Sequence, residues 1–266
     1  MRMRLLFAAV LLLLAFSGIA AADEWTKDFN VGGSPKLNVD ANDGSIRIIA
    51  GSGSRISARV STEGYKISPA EVRIVERQNG DSVELIVRVP TRSVVIFASL
   101  GVRIEVTVPA NTQVDLRSGD GRISVSGIRA PARLHTGDGT IEVRNFAGPL
   151  NAHSGDGRIE VEGLFENLQL DTSDGSIDAE VRPGSRMAGR WVVRTGDGMV
   201  RLRLPRDFNA TLDAHTGDGR ITVELPLSMN TAFKENDLRG KLNGGGNTLQ
   251  IRSGDGSIRV SSSGVM

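Results

Sequence analysis

Acidic side chains recur in this sequence at a spacing that could serve metal binding. The pair Asp-Gly occurs eight times, and from Asp120 onward the intervals are 18, 18, 18, 23, 21 and 37 residues. Carboxylates stacked at one position of a repeat could coordinate Ca²⁺, which prefers oxygen ligands. Calcium-binding solenoids, however, use a nonapeptide with several Gly residues, so a structural role is favoured in which each Asp accepts backbone N–H bonds in its own turn. The predicted turn residues are Asp43, Gly44, Asp120, Gly121, Asp138, Gly139, Asp156, Gly157, Asp174, Gly175, Asp197, Gly198, Asp218, Gly219, Asp255 and Gly256.

All three histidines occupy one position of the repeat, three residues before the Asp. His135 and His153 are 18 residues apart, so they should lie near each other in a stacked structure, whereas His215 is three copies beyond His153. Two imidazoles could bind a transition metal, but no third ligand is identifiable. The same position holds Arg117 and Asp171 in other copies. This variety favours an ordinary solvated face, and neither a metal nor a cofactor is predicted.

Catalytic groups are not concentrated at any point of the sequence. Polysaccharide lyases built on β-helices need a carboxylate cluster and a basic side chain, whereas acids and bases here are spread over repeating positions. The hydrolase, metalloprotease and phosphate-loop motifs are absent. Trp191 is a candidate for stacking on a sugar, although filling the core at a coil corner is the favoured interpretation. The sequence therefore predicts a non-catalytic protein, with a carbohydrate-active β-helix enzyme as the alternative.

Composition excludes several classes of partner. The chain has 32 basic and 31 acidic side chains, and a protein this close to neutral is not expected to bind nucleic acid or an anionic membrane surface. Cysteine is absent, which excludes disulfides, thiol catalysis and thiolate metal sites. The 32 glycines and the low aromatic content of 4% are typical of a repetitive, turn-rich β protein.

The N-terminus is predicted to be a signal peptide covering residues 1–22. Arg2 and Arg4 precede an apolar segment of about a dozen residues, and the small residues ending at Ala22 fit a cleavage site. The mature chain would begin at Asp23 and contain no transmembrane segment, because no later stretch approaches the ~20 apolar residues of a spanning helix. An uncleaved anchor is the alternative. The expected location is the periplasm, the cell surface or the medium.

The positions around each Asp-Gly pair predict the fold. Apolar residues stand four before, three after and five after the Asp, and Ser or Thr stands two before it in seven of the eight copies. Alternating apolar positions indicate strands with one buried face, and the Gly after each Asp is expected at positive φ, as at Gly157. An antiparallel meander is possible, but the regular period favours a single-stranded right-handed β-helix of 18-residue coils. We predict one domain over 23–266, with irregular coils over 23–110, regular repeats over 111–266, and the interval of 37 spanning about two periods.

Several longer blocks stand out in the chain, namely Trp25–Val39, Val106–Pro109 leading into Leu116–Gly121, and Gly240–Val260. These blocks resemble a bacterial domain-of-unknown-function family labelled "putative adhesin", of the toast-rack group of right-handed β-helices. The resemblance implies a secreted β-helix with a binding or scaffolding role toward an unknown envelope component or protein. Some relatives sit in membrane proteins of the envelope-stress response, so an accessory role in stress sensing is a second alternative. The resemblance carries over no catalytic residue.

Overall fold

The structure is a computed structural model that describes residues 22–90, 101–229 and 235–263. The predicted leader lies outside the described residues except for Ala22, which begins the first strand. The described ranges contain 21 strands and no helix. In those ranges there is accordingly no helix that could cross a membrane.

The strands alternate apolar and polar side chains and are short, in keeping with the predicted period of two. Their bounds are β1 Ala22–Asn30, β2 Lys36–Ala41, β3 Ser45–Gly51, β4 Arg55–Glu63, β5 Arg73–Asn79, β6 Ser82–Arg88, β7 Gly101–Pro109, β8 Gln113–Ser118, β9 Ile123–Ser126, β10 Ala132–Thr136, β11 Ile141–Ser154, β12 Ile159–Thr172, β13 Ile177–Val181, β14 Trp191–Thr195, β15 Val200–Leu204, β16 Ala210–Thr216, β17 Ile221–Val223, β18 Leu227–Met229, β19 Asp237–Leu242, β20 Thr248–Ser253 and β21 Ile258–Ser262.

Two stacks of strands face each other across the core. The first stack contains, in order, β5, β6, β2, β8, β10, the C-terminal halves of β11 and β12, and then β14, β20, β16, β19 and β18. The second stack contains, in order, β1, β4, β7, β3, β9, the N-terminal halves of β11 and β12, and then β13, β15, β21 and β17. Each Asp-Gly turn leads from a strand of the first stack to a strand of the second.

Neighbouring coils pair in parallel with equivalent residues in register, for example Leu134 with Ala152 and Ile141 with Ile159. The strands flanking an Asp-Gly pair bond to adjacent coils, as β8 and β9 do. The all-β solenoid is therefore confirmed, and the meander of hairpins is wrong. Equivalent apolar residues form buried columns inside, including Leu116, Leu134 and Leu170.

The order of coils in the stack differs from their order in the chain. β20 pairs with β14 on one side and with β16 on the other, so the last coil, with Asp255, lies between the coils of Asp197 and Asp218. The interval of 37 residues is therefore not two coils added in succession. It contains the antiparallel strands β18 and β19, after which the chain returns to form β20 between β14 and β16.

The N-terminal half lacks the regular period, as expected, and antiparallel strands account for much of the irregularity. β1, β4 and β7 pair antiparallel with one another and extend the second stack. β5 and β6 form an antiparallel pair that extends the first. Longer excursions of the chain thus complete both stacks at the N-terminal end.

Candidate functional site

The eight Asp-Gly turns form a column along one edge of the solenoid. Adjacent turns are joined by backbone bonds: Gly155 N–H and Asp156 N–H both donate to the Gly137 carbonyl, at 2.5 and 3.3 Å. The strand register orders the column as Asp43, Asp120, Asp138, Asp156, Asp174, Asp197, Asp255 and Asp218.

The aspartates do not make the turn hydrogen bonds expected from the sequence. Over the described ranges, only Asp43 accepts one within its own turn, from Gly44 N–H at 2.6 Å. Arg158, which follows the Asp156-Gly157 turn, pairs with Glu160 at 2.9 Å. No group of three His, Cys, Asp or Glu side chains suited to a metal ion occurs in the described part of the chain. The column is thus a row of exposed carboxylates without ligand geometry.

In the seven copies with Ser or Thr two residues before the Asp, this hydroxyl makes the bonds instead. Ser154 Oγ accepts the Gly157 N–H at 3.0 Å and donates to the Gly139 carbonyl of the preceding coil at 2.9 Å. One buried hydroxyl thereby closes its own turn and ties it to the preceding coil. Equivalent hydroxyls that bond to a neighbouring turn are Ser118, Thr136, Thr172, Thr195, Thr216 and Ser253. The preference for Ser or Thr at this position was the signal in the sequence.

The glycine after each Asp is required by close approach and, with one exception, not by its backbone angle. Gly44 has φ 109°, but the other seven are not at positive φ. The expectation for Gly157 was therefore wrong. A Cβ at Gly157 would overlap the carbonyl oxygen of Gly139 in the adjacent coil. Glycine is needed there because the turns stack with their backbones in contact.

These contacts predict opposite results for two neighbouring alanine variants. Ser154→Ala should lower the free energy of unfolding by about 1–3 kcal/mol, because it leaves a buried N–H and a buried carbonyl without their partner. Asp156→Ala should change it by no more than about 0.5 kcal/mol, as is usual for an exposed side chain. Urea unfolding followed by circular dichroism, with and without calcium, measures both. A larger loss for Asp156→Ala would support the turn-bonding role that the sequence predicted for the Asp column. A calcium-dependent stabilisation that this variant removes would support Ca²⁺ binding.

His135 and His153 lie on adjacent strands, as the spacing predicted. Their rings are stacked with centroids 4.9 Å apart and 5° between planes, and His153 Nδ1 is 3.2 Å from an Asp171 carboxylate oxygen. Burial lowers the pKa of His135, and the nearby His153 and Arg117 lower it further. His215 lies apart, 3.8 Å from Asp237. Parallel stacked rings do not point two nitrogens at one metal position.

Trp191 fills the core at the edge opposite the turns. Its side chain is fully buried, and its indole N–H donates to the Glu166 carbonyl at 3.1 Å. Phe165 and Phe208 pack against the ring, with centroids 6.4 and 5.3 Å away. The indole is therefore not available to stack on a sugar, and the favoured interpretation from the sequence is correct.

The structure also assembles a charged surface that sequence reasoning did not single out. Carboxylates of β11, β12 and β13 meet on the outer face of the second stack, around a shallow hollow that includes Arg203. Arg203 lies 2.8 Å from Asp178 and 3.0 Å from Glu180, and Arg144 lies 2.6 Å from Glu142. Each carboxylate that lines this hollow has an arginine within 4.0 Å.

The outer face of the first stack has a different character. Two adjoining shallow hollows there share Arg133 of β10 and Asn151 of β11. Arg133 is exposed and forms no ion pair with any described residue. No sequence signal marks it, because Asp115 and Asn151 become its neighbours only when β8, β10 and β11 are aligned.

A family model described as Toastrack DUF4097 matches residues 110–261. No curated protein is similar to the chain at a significant level.

Several solved structures are similar over most of their length. A "putative cell adhesion protein" from Clostridium sporogenes is 15% identical, with 91% of this chain and 100% of that chain covered and a TM-score of 0.44. A "putative adhesin" from Bacteroides fragilis is 13% identical, with coverage of 89% and 96% and a TM-score of 0.43. A "putative lipid binding protein" from Parabacteroides distasonis is 11% identical, with coverage of 90% and 96% and a TM-score of 0.46.

Proposed function

Because this chain belongs to the Toastrack DUF4097 family, we propose that it is an exported, non-catalytic protein that binds a component of the cell envelope. The observation that carries the proposal is the form of its surface. Parallel strands in register repeat the same outward positions from coil to coil. Such a scaffold presents long, regular rows of polar side chains, which suits recognition of an extended partner.

Two further features support a binding role over catalysis. The core is filled by buried apolar columns, and a surface cavity of about 760 Å³ is lined mainly by small and apolar residues such as Pro131, Leu164 and Met187. The acids of the second-stack face are matched by arginines at 2.6–3.0 Å, whereas a general acid or base needs a pKa tuned to its task by an unbalanced environment. The buried position of Trp191 removes the sugar-stacking surface on which the carbohydrate-active alternative relied.

Export is proposed from the leader and is tested first. The full chain, expressed in a bacterial host, should be recovered outside the cytoplasm with Asp23 as its first residue. N-terminal sequencing of the fractionated protein measures this. Recovery of the chain from Met1 in the membrane pellet would support an uncleaved anchor instead.

Binding is tested with the exported protein immobilised and exposed to solubilised envelope and to cytosol from the same cells. We expect an envelope component to be enriched over the cytosolic control, and no turnover of neutral or acidic polysaccharides. Equal capture from both fractions would contradict an envelope role. Turnover that one Asp or Arg substitution abolishes, with the fold intact, would contradict the non-catalytic role.

A further inference from the structure

Each outer face of the described residues carries both paired and unpaired arginines. On the second stack, Arg158 and Arg203 each lie within 3 Å of a carboxylate. On the first stack, Arg117 lies 3.6 Å from Asp115, whereas Arg133, on the adjacent strand, has no carboxylate partner among the described residues. Arg133 therefore carries an exposed positive charge that the protein itself does not neutralise.

One further arginine and two histidines lie near Arg133. The strand register places Arg117 and Asp115 on one side of β10, and His153 and Asn151 on the other. His135 lies two residues along the same strand, and burial, followed by the nearby His153 and Arg117, lowers its pKa, so its ring is neutral near pH 7. The nearest acids are engaged elsewhere, since Asp115 pairs with Arg117 and Asp171 lies beside His153 and Arg194. An anionic group would be attracted to this position.

Carboxamides continue from Arg133 along the stack. Asn151 and Gln169 follow Arg133 in register on β11 and β12, with their side chains 3.4 Å apart. Gln113 and Asn167 line the same hollow. Each carboxamide offers both donors and an acceptor, which is what recognition of hydroxyl groups requires. Adjacent strands are ~4.8 Å apart, so these groups form a row that crosses successive coils.

We propose that this face binds a linear acidic polysaccharide, with Arg133 holding a carboxylate of the polymer and the carboxamides of Asn151 and Gln169 bonding to its hydroxyls. A guanidinium matches a carboxylate with two parallel hydrogen bonds. This inference rests on the proposed binding function and names its ligand class.

Two other polyanions fit less well. The large apolar side chains exposed in the described residues, Ile49, Leu164 and Met199, do not line either hollow, so neither hollow offers an apolar anchor for a lipid bilayer. The formal net charge of the chain is +1, which gives little of the long-range attraction that nucleic-acid binding uses. A chain of nearly zero net charge, with two arginines that form no ion pair in the described ranges and lie among carboxamides, Arg133 and Arg190, suits a ligand rich in hydroxyls and sparse in charge.

The test is calorimetric titration of the exported protein with polygalacturonate, and with dextran as the neutral control. We expect binding of polygalacturonate only, weakened about tenfold by Arg133→Gln, since a hydrogen-bonded charge contributes on that scale. The matched control is Arg201→Gln. Arg201 is exposed on β15 of the second stack and likewise has no ion pair in the described ranges, so its loss removes the same charge from the other face and should leave the affinity unchanged.

Three results would overturn the proposal. One is the absence of binding to polygalacturonate, and another is equal weakening by Arg133→Gln and Arg201→Gln, which would indicate unspecific attraction. The third is tighter binding to phosphatidylglycerol vesicles or duplex DNA, which would assign the face to another class of polyanion. Export and capture of an envelope component are measured separately. If they succeed while the titration fails, the ligand class is wrong and the binding function stands.

Discussion

Trp191→Ala should lower the free energy of unfolding by about 3–5 kcal/mol, the range seen when a large buried aromatic side chain is truncated. Trp191 is fully buried between Phe165 and Phe208, so truncation leaves a cavity in the middle of an aromatic column. It also removes the indole N–H that bonds to the Glu166 carbonyl at 3.1 Å. Both effects act on the edge where the chain passes between the stacks.

Urea unfolding followed by circular dichroism measures this loss. One further variant separates the hydrogen bond from the packing, and another serves as a control. Trp191→Phe keeps most of the ring packing but leaves the Glu166 carbonyl without its donor, so it should cost about 1–3 kcal/mol. Trp25→Ala is the matched control, because Trp25 lies on β1 and is only partly buried against the core. A loss for Trp191→Ala no larger than for Trp25→Ala would show that the aromatic column does not support the fold.

Gly157→Ala should lower the free energy of unfolding by about 3 kcal/mol, at the upper end of what overpacking usually costs. The added Cβ would overlap the Gly139 carbonyl oxygen, and this oxygen cannot move away without breaking its bond from Ser154 Oγ at 2.9 Å. Because backbone is the obstacle, the two turns must separate. Gly157→Val should cost more, since it adds two methyl groups at the same contact.

The control for this variant is Gly33→Ala, whose added Cβ would meet no atom within 4 Å. It should change the free energy of unfolding by no more than about 0.5 kcal/mol. Both variants are compared by urea unfolding under the same conditions. If Gly157→Ala were as mild as Gly33→Ala, the turns would not be stacked as closely as the structure shows, and the glycine would need another explanation.

Much of the fold was predictable because the information is local and repeated. The apolar positions around each Asp-Gly pair alternate with period two. A strand whose side chains alternate in this way has one buried face. The constant interval from Asp120 to Asp174 then requires equivalent residues to stack, which led correctly to the solenoid and to the adjacency of His135 and His153.

What the sequence did not determine depends on contacts between coils. Every coil presents the same apolar columns to its neighbours, so the pattern alone cannot tell that the coil of Asp255 inserts before that of Asp218. Likewise, a Gly beside an Asp indicates a turn. Only the adjacent coil shows that a carbonyl oxygen occupies the space that a Cβ at this position would need. The turn bonds belong to Ser154 and its equivalents because their hydroxyls reach both turns at once.

The same distinction applies to the candidate site. The sequence by itself determined the strands, the buried face of each strand and the positions that point outward, because alternation along a strand depends only on its own residues. Tertiary structure decided most of the outward ion pairs, apart from those between residues two apart in the sequence, such as Arg144 with Glu142. Arg133 and Arg203 occupy outward positions of similar strands, yet one has no carboxylate partner among the described residues and the other has two. The reason is physical: ion pairs form within about 4 Å, and the side chains that come this close to an outward arginine are supplied mainly by the coils stacked against it.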